Sequence, residues 1–125
     1  MQILRPRALG LDSYSVSLPE DEGPIWDAVA SYGLNDIVVR DHKVFVSAIG
    51  DNTGIDPLLE NQSLVGVRWV FRSYTNAFSF LDGVLSNKTA GAGPIEVTID
   101  NVQAVDALLL FGIAGTYLVV SGETL

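Results

Sequence analysis

Arg68-Trp69-Val70-Phe71-Arg72-Ser73-Tyr74-Thr75-Asn76-Ala77-Phe78-Ser79-Phe80-Leu81-Asp82-Gly83 is the stretch on which the fold turns, because it holds five of the eleven aromatic residues in a chain of 125. Val67, Trp69 and Phe71 alternate with Arg68, Val70 and Arg72. That period of two is the signature of a strand with one apolar face. It predicts Trp69 and Phe71 in the core, with Arg68 and Arg72 facing solvent or the acidic groups of a neighbour. After Ser73 the alternation stops, and Tyr74, Phe78, Phe80 and Leu81 lead to the turn signal Asp82-Gly83. An ordered loop plugging a core is the expectation. Each aromatic buries roughly 150–250 Å², so the flanking strands should pack on this hub.

Composition narrows the function. Hydrophobic residues make up 48% and charged residues 18% of the chain, an apolar balance for a protein alone in water, which predicts surface that meets partners. Fifteen Asp and Glu against seven Lys and Arg give a net charge of −8. With no basic stripe, such a chain repels nucleic-acid phosphates. The absence of cysteine excludes disulfides and thiolate metal sites. The start, Met-Gln-Ile-Leu-Arg-Pro-Arg, lacks the apolar run of a cleaved signal. The most apolar run, Ala107 to Val120, is fourteen residues broken by Gly112, Gly115 and Thr116, short of the roughly 20 that span a bilayer.

Working outward from the hub, residues 1–23 read as an extended arm, because Pro6, Gly10, Pro19 and Gly23 interrupt any helix. Tyr14, Val16 and Leu18 alternate with serines as a short edge strand, and Glu20-Asp21-Glu22 reads as a solvated turn. Pro24 to Tyr32 allows one helical turn with Trp26, Val29 and Ala30 on one side. Ile37-Val38-Val39 and Val44-Phe45-Val46 flank Arg40-Asp41-His42-Lys43 as a hairpin. His42 sits at its tip and is given no role, since no nucleophile or ligand lies beside it in sequence. Asp51 to Asp56 superficially resembles a calcium loop, but glycine stands at position four rather than six and position twelve is Gln62. It reads as an Asx-rich turn before Pro57. On the other side, Ser86 to Pro94 is a small, polar loop, and Ile95, Val97 and Ile99 alternate as a half-buried strand. Val105–Phe111 and Thr116–Val120 read as two apolar strands buried on both faces. The fold class is therefore all-β: small antiparallel sheets or a partial sandwich with at most one short helix. Its parts are an arm (1–23), a small β module (24–72) and a sandwich-like, possibly incomplete segment (73–125).

No Ser/His/Asp order, no Gly-rich loop between strand and helix and no metal-ligand cluster is present in the sequence, so no catalytic, cofactor or metal residue is assigned. Non-enzymatic function is the expectation.

Residues 24–70 resemble the small carbohydrate-binding modules of chitinases and bacteriophage tail proteins. The likeness is carried by Trp26, Tyr32, Asn35-Asp36, Phe45, Asn52-Thr53-Gly54, Pro57 and Trp69. One departure is Tyr-Gly-Leu-Asn-Asp at 32–36, where those modules have Tyr-x-x-Gly-Asp. Thr75-Asn76, Phe80-Leu81-Asp82, Thr89 and Ile95–Ile99 are similar to a recurrent phage virion pattern, and to the first half of a galactose-binding-like jelly roll. The resemblance implies a structural component of a phage tail tip, baseplate or fibre attachment, made in the bacterial cytoplasm and placed in the virion. It would join copies of itself and other tail proteins through strand edges and apolar faces. It also implies, as the alternative, a module that binds host-surface glycans through Trp26, Tyr32 and Trp69. The arm is then expected to be the assembly element, with Arg5 and Arg7 steering it to an acidic surface and Tyr14, Val16 and Leu18 adding a strand to a neighbour's edge.

Overall fold

The computed structural model describes residues 9–62, 66–84, 86–100, 113–115 and 117–122. The chain is all-β. Among the described residues seven short strands run in order: β1 (Tyr14–Val16), β2 (Ser31–Tyr32), β3 (Ile37–Arg40), β4 (Lys43–Ser47), β5 (Asn52–Thr53), β6 (Trp69–Tyr74) and β7 (Val97–Ile99). Three 3₁₀ turns accompany them at Leu11–Ser13, Pro57–Gln62 and Asn76–Leu81.

The hairpin expected around Asp41-His42 forms. Ile37, Val38, Val39 and Arg40 pair with Val46, Phe45, Val44 and Lys43. Both loop residues have positive φ, 52° and 60°, the type I′ geometry whose twist matches that of paired strands. Asp and His adopt that conformation more readily than branched residues do. β6 adds to the other side of β4, making a three-stranded antiparallel sheet in the order β3-β4-β6. Tyr32, Val38, Phe45 and Trp69 form its packed core, with Trp26, Ala30 and Ile55 against them. Trp69 and Tyr32 meet edge to face at 5.3 Å. Val39 and Val44, on the opposite face of the hairpin, are buried as well.

The hub strand departs from simple alternation at one place. Phe45 pairs with Phe71 but Val44 pairs with Ser73, so Arg72 is the extra residue of a β-bulge, which bends the strand and resets its faces. Trp69 is buried as expected. Phe71 is not: it is 50% exposed, because among the described residues β6 is the outer strand of the sheet, and Phe71 meets Phe45 and Tyr74 edge-on at 5.9 Å each. Beyond Thr75 the expected ordered loop is a 3₁₀ turn that buries Ala77 and Phe78. Ser79 Oγ donates to the Thr75 carbonyl within it.

Other local expectations are corrected. Pro24 to Tyr32 makes no helical turn. Trp26 N–H donates to the Val39 carbonyl, and Val39 N–H to that of Pro24, so the segment runs along β3. The Asp27 carboxylate then caps a tight turn by accepting from Val29 N–H at 2.9 Å, and the chain enters β2. Asn52 is not a turn residue but half of β5, paired with Tyr32. The segment after the loop 86–94 makes a strand, but Ile95, Val97 and Ile99 are 39–41% exposed rather than half-buried. Of the last two apolar strands, 105–111 lies outside the described residues. Tyr117 to Val120 is not a doubly buried strand: no ladder is assigned there, and its side chains are 58–77% exposed.

The divisions drawn at residues 23 and 72 are both crossed. β1 pairs with β7, and the boundary after Arg72 falls inside β6.

Candidate assembly surface

Two sets of residues were singled out by sequence, and the structure treats them differently. Tyr32 and Trp69 are 8% and 3% exposed, and their polar atoms are occupied inside the fold. The Tyr32 hydroxyl accepts from Asp27 N–H at 2.7 Å, and Trp69 Nε1 donates to the Ile55 carbonyl at 2.9 Å. Trp26 is half-buried. The Arg40 guanidinium lies 5.5 Å from its ring centroid, and its Nε1 is buried without a hydrogen bond. Tyr32 and Trp69 thus touch each other but offer no ring face to a sugar, because the burial that makes them a core removes them from solvent.

The second set lies in the arm. Arg5 and Arg7 are outside the described residues. Tyr14 and Val16 form β1, opposite Ile99 and Val97, with Leu18 just beyond. All three side chains are half-buried. The ladder continues past the strand ends: Asp100 N–H donates to the Ser13 carbonyl, and Ser17 N–H to that of Glu96, each at 2.9 Å. Ser17 Oγ also accepts from Glu96 N–H. Tyr14 meets the edge of Phe80 at 6.0 Å. The edge that the arm fits is therefore β7, and in a single chain it is the chain's own.

The acidic run at the end of the arm is not a solvated turn. Glu20 Oε1 lies 2.8 Å from His42 Nδ1, and Oε2 accepts from Thr75 Oγ1 at 2.8 Å. Glu22 Oε1 accepts from Asn76 N–H; Asp21 alone is exposed. His42 is likewise not a solvated tip: its ring stacks on Phe78 at 3.7 Å, and Thr75 N–H donates to its carbonyl. This clamp ties residues 20–22 to the hairpin turn and to the corner after β6, elements 22 and 55 residues away in sequence. Partly buried hydrogen bonds to a charged group are among the stronger kind. No local signal in the sequence links Glu20 to Thr75 across that distance.

Asn52 was also missed. It is fully buried and donates from Nδ2 to Ser47 Oγ at 3.0 Å and to the Arg68 carbonyl at 3.1 Å, joining β4, β5 and the entry to β6. On the surface above, Arg40 pairs with Asp56 at 2.9 Å. Burial disfavours the Asp56 charge, but the Arg40 hydrogen bond, the Leu58 N–H and the Arg40 charge outweigh it and hold the carboxyl below its ordinary range. The same hydrogen bond raises Arg40.

Several large apolar side chains are exposed. Val67, just before the outer strand, is 64% exposed, Val70 and Phe71 on it are 49% and 50% exposed, and Ile25 and Val29 are 76% and 85% exposed. Val97, Ile99 and the run Tyr117–Val120 are exposed as well. Among the described residues no group of three or more His, Cys, Asp or Glu is placed to hold a metal ion, and no helix is long and apolar enough to cross a membrane. A shallow groove of about 630 Å³ lies beside Glu22, Tyr74, Asn76 and Lys88. Comparison with protein-family models, with curated proteins and with solved structures returned no match.

Proposed function

We propose that this chain is a non-enzymatic structural component of a phage tail, at the tip, the baseplate or a fibre attachment. In this role it joins copies of itself and other virion proteins through strand edges and apolar faces. The observation that carries the proposal is the exposure of Val70 and Phe71 on an outer strand, of Val67 just before it and of Tyr117–Val120. Soluble monomers rarely leave large apolar residues contiguous and uncovered, and an outer strand offers backbone groups to pair with. The similarity of Thr75–Ile99 to a virion pattern supplies the tail assignment. The glycan-binding alternative loses support, since two of its three aromatics are core residues.

Quantitative mass spectrometry of tailed particles purified from the source of the chain tests the proposal. The expected result is the chain in several copies per particle, enriched in the tail fraction. Its absence from particles would overturn the assignment.

A further inference from the structure

The arm and the edge it fits are both visible, and their arrangement suits exchange between molecules. β1 and β7 form a two-stranded sheet with three paired residues on each side, and neither strand is hydrogen-bonded into the three-stranded sheet. A two-stranded ribbon is marginal alone and gains from further cover. Cover is lacking here, as Ile95, Val97 and Ile99 are each about two-fifths exposed.

The arm also has a fixed base. Glu20 and Glu22 hold it to His42, Thr75 and Asn76, whereas Ser17 still belongs to the β1–β7 ladder. Only Leu18 and Pro19 lie between the two attachments. Proline holds φ near about −65° and has no N–H to lose. A connection only two residues long leaves little slack between the ladder and the base, and short hinges of this kind are where strand exchange arises.

We propose that β1 is exchanged between two copies of this chain, Tyr14–Val16 of each pairing with Val97–Ile99 of the other in the register seen within one chain. This deepens the assembly function proposed above and rests on it. Every ladder hydrogen bond made within a chain is remade between chains, so exchange sacrifices no pairing. Because the remade ladder reproduces the contacts within one chain, the added cover for Val97 and Ile99 comes from the surfaces that the two copies bring together around it. The contact is isologous and closes as a two-fold dimer, and it does not use β6, the outer strand of its sheet among the described residues.

The chain contains no cysteine, so engineered thiols report the pairing without background. Ser15 and Thr98 are directly opposed and exposed. Opposed residues of an antiparallel pair lie about 5.5 Å or less apart at Cα, within disulfide reach. Chains carrying Ser15→Cys alone and Thr98→Cys alone, with tags of different size, are co-expressed, oxidised and separated without reductant, and linked peptides are identified by mass spectrometry. Exchange predicts a mixed covalent dimer linked from position 15 of one chain to position 98 of the other. In the double variant Ser15→Cys/Thr98→Cys it predicts a dimer closed by two disulfides. The proposal is overturned if the double variant closes only within single chains and the mixed dimer is absent. Light scattering of the unmodified protein separates the two levels: oligomers without the mixed link remove exchange and leave assembly standing, whereas a monomer at all concentrations removes both.

Discussion

Replacing Trp69 probes whether the hub is a core or a surface. In the structure its ring is 3% exposed, packs edge-on against Tyr32 at 5.3 Å and donates from Nε1 to the Ile55 carbonyl at 2.9 Å. Trp69→Ala deletes the ring and leaves a cavity, a change that costs about 3–5 kcal/mol for a buried aromatic. Trp69→Phe keeps an aromatic ring but leaves the Ile55 carbonyl unmet. Because Ile55 is only half-buried, that loss falls at the low end, about 1–2 kcal/mol. Against a total of about 5–15 kcal/mol for a single domain, the alanine variant loses a large share, a fall in melting temperature of roughly 10–20 °C. Urea titrations followed by circular dichroism of both variants and the parent give the two values directly. A Trp69→Ala cost below about 1 kcal/mol, with binding to glycans abolished, would refute the core assignment and restore a surface platform.

Other consequences follow from the polar contacts. Asn52→Ala removes the donor shared by Ser47 Oγ and the Arg68 carbonyl and should cost about 1–3 kcal/mol in the same titration, although the position reads as a turn. Thr75→Val and Glu20→Gln should be coupled by about 1 kcal/mol in a double-mutant cycle, since the two side chains share one hydrogen bond; strictly additive costs would remove the clamp. Asp56 has a depressed folded pKa, so its contribution is complete above the ordinary carboxylate value near about 4 and disappears as pH falls through the lower folded value. Arg40→Met should flatten that acid limb while costing about 1 kcal/mol or less at neutral pH, because the Arg40 side chain is 40% exposed and its pair is screened by solvent. An unchanged acid limb in Arg40→Met would place the shift elsewhere.

The parts of the fold that were legible in the sequence are those specified by neighbours. Ile37-Val38-Val39 and Val44-Phe45-Val46 declare a hairpin because β-branched runs and a polar turn lie within ten residues, and the burial of Trp69 follows from the period of its strand. Phe71 shows where such logic ends. Its alternation matches that of Trp69, but exposure depends on whether another strand lies beyond β6, which no local pattern encodes. His42, Glu20 and Asn52 were misread for a related reason. Polar residues in a turn-like stretch are solvated by default, and only long-range packing brings Glu20 to Thr75 or buries Asn52 between β4 and the start of β6. For the arm, alternation at Tyr14, Val16 and Leu18 announced a strand, while the identity of its partner, β7, emerged only from the fold. The aromatics Trp26, Tyr32 and Trp69 show the converse, since residues that resemble a binding platform in one dimension are drawn inward by the same apolar surface.

Assembly through exposed apolar strands is the central claim, and static light scattering of the purified chain across a hundredfold range of concentration tests it most directly. The account predicts a mass at an integral multiple of the chain, shifted toward monomer by the edge variant Val70→Lys/Phe71→Lys with its melting transition kept. A monomeric mass at every concentration, unchanged by that variant, would contradict it.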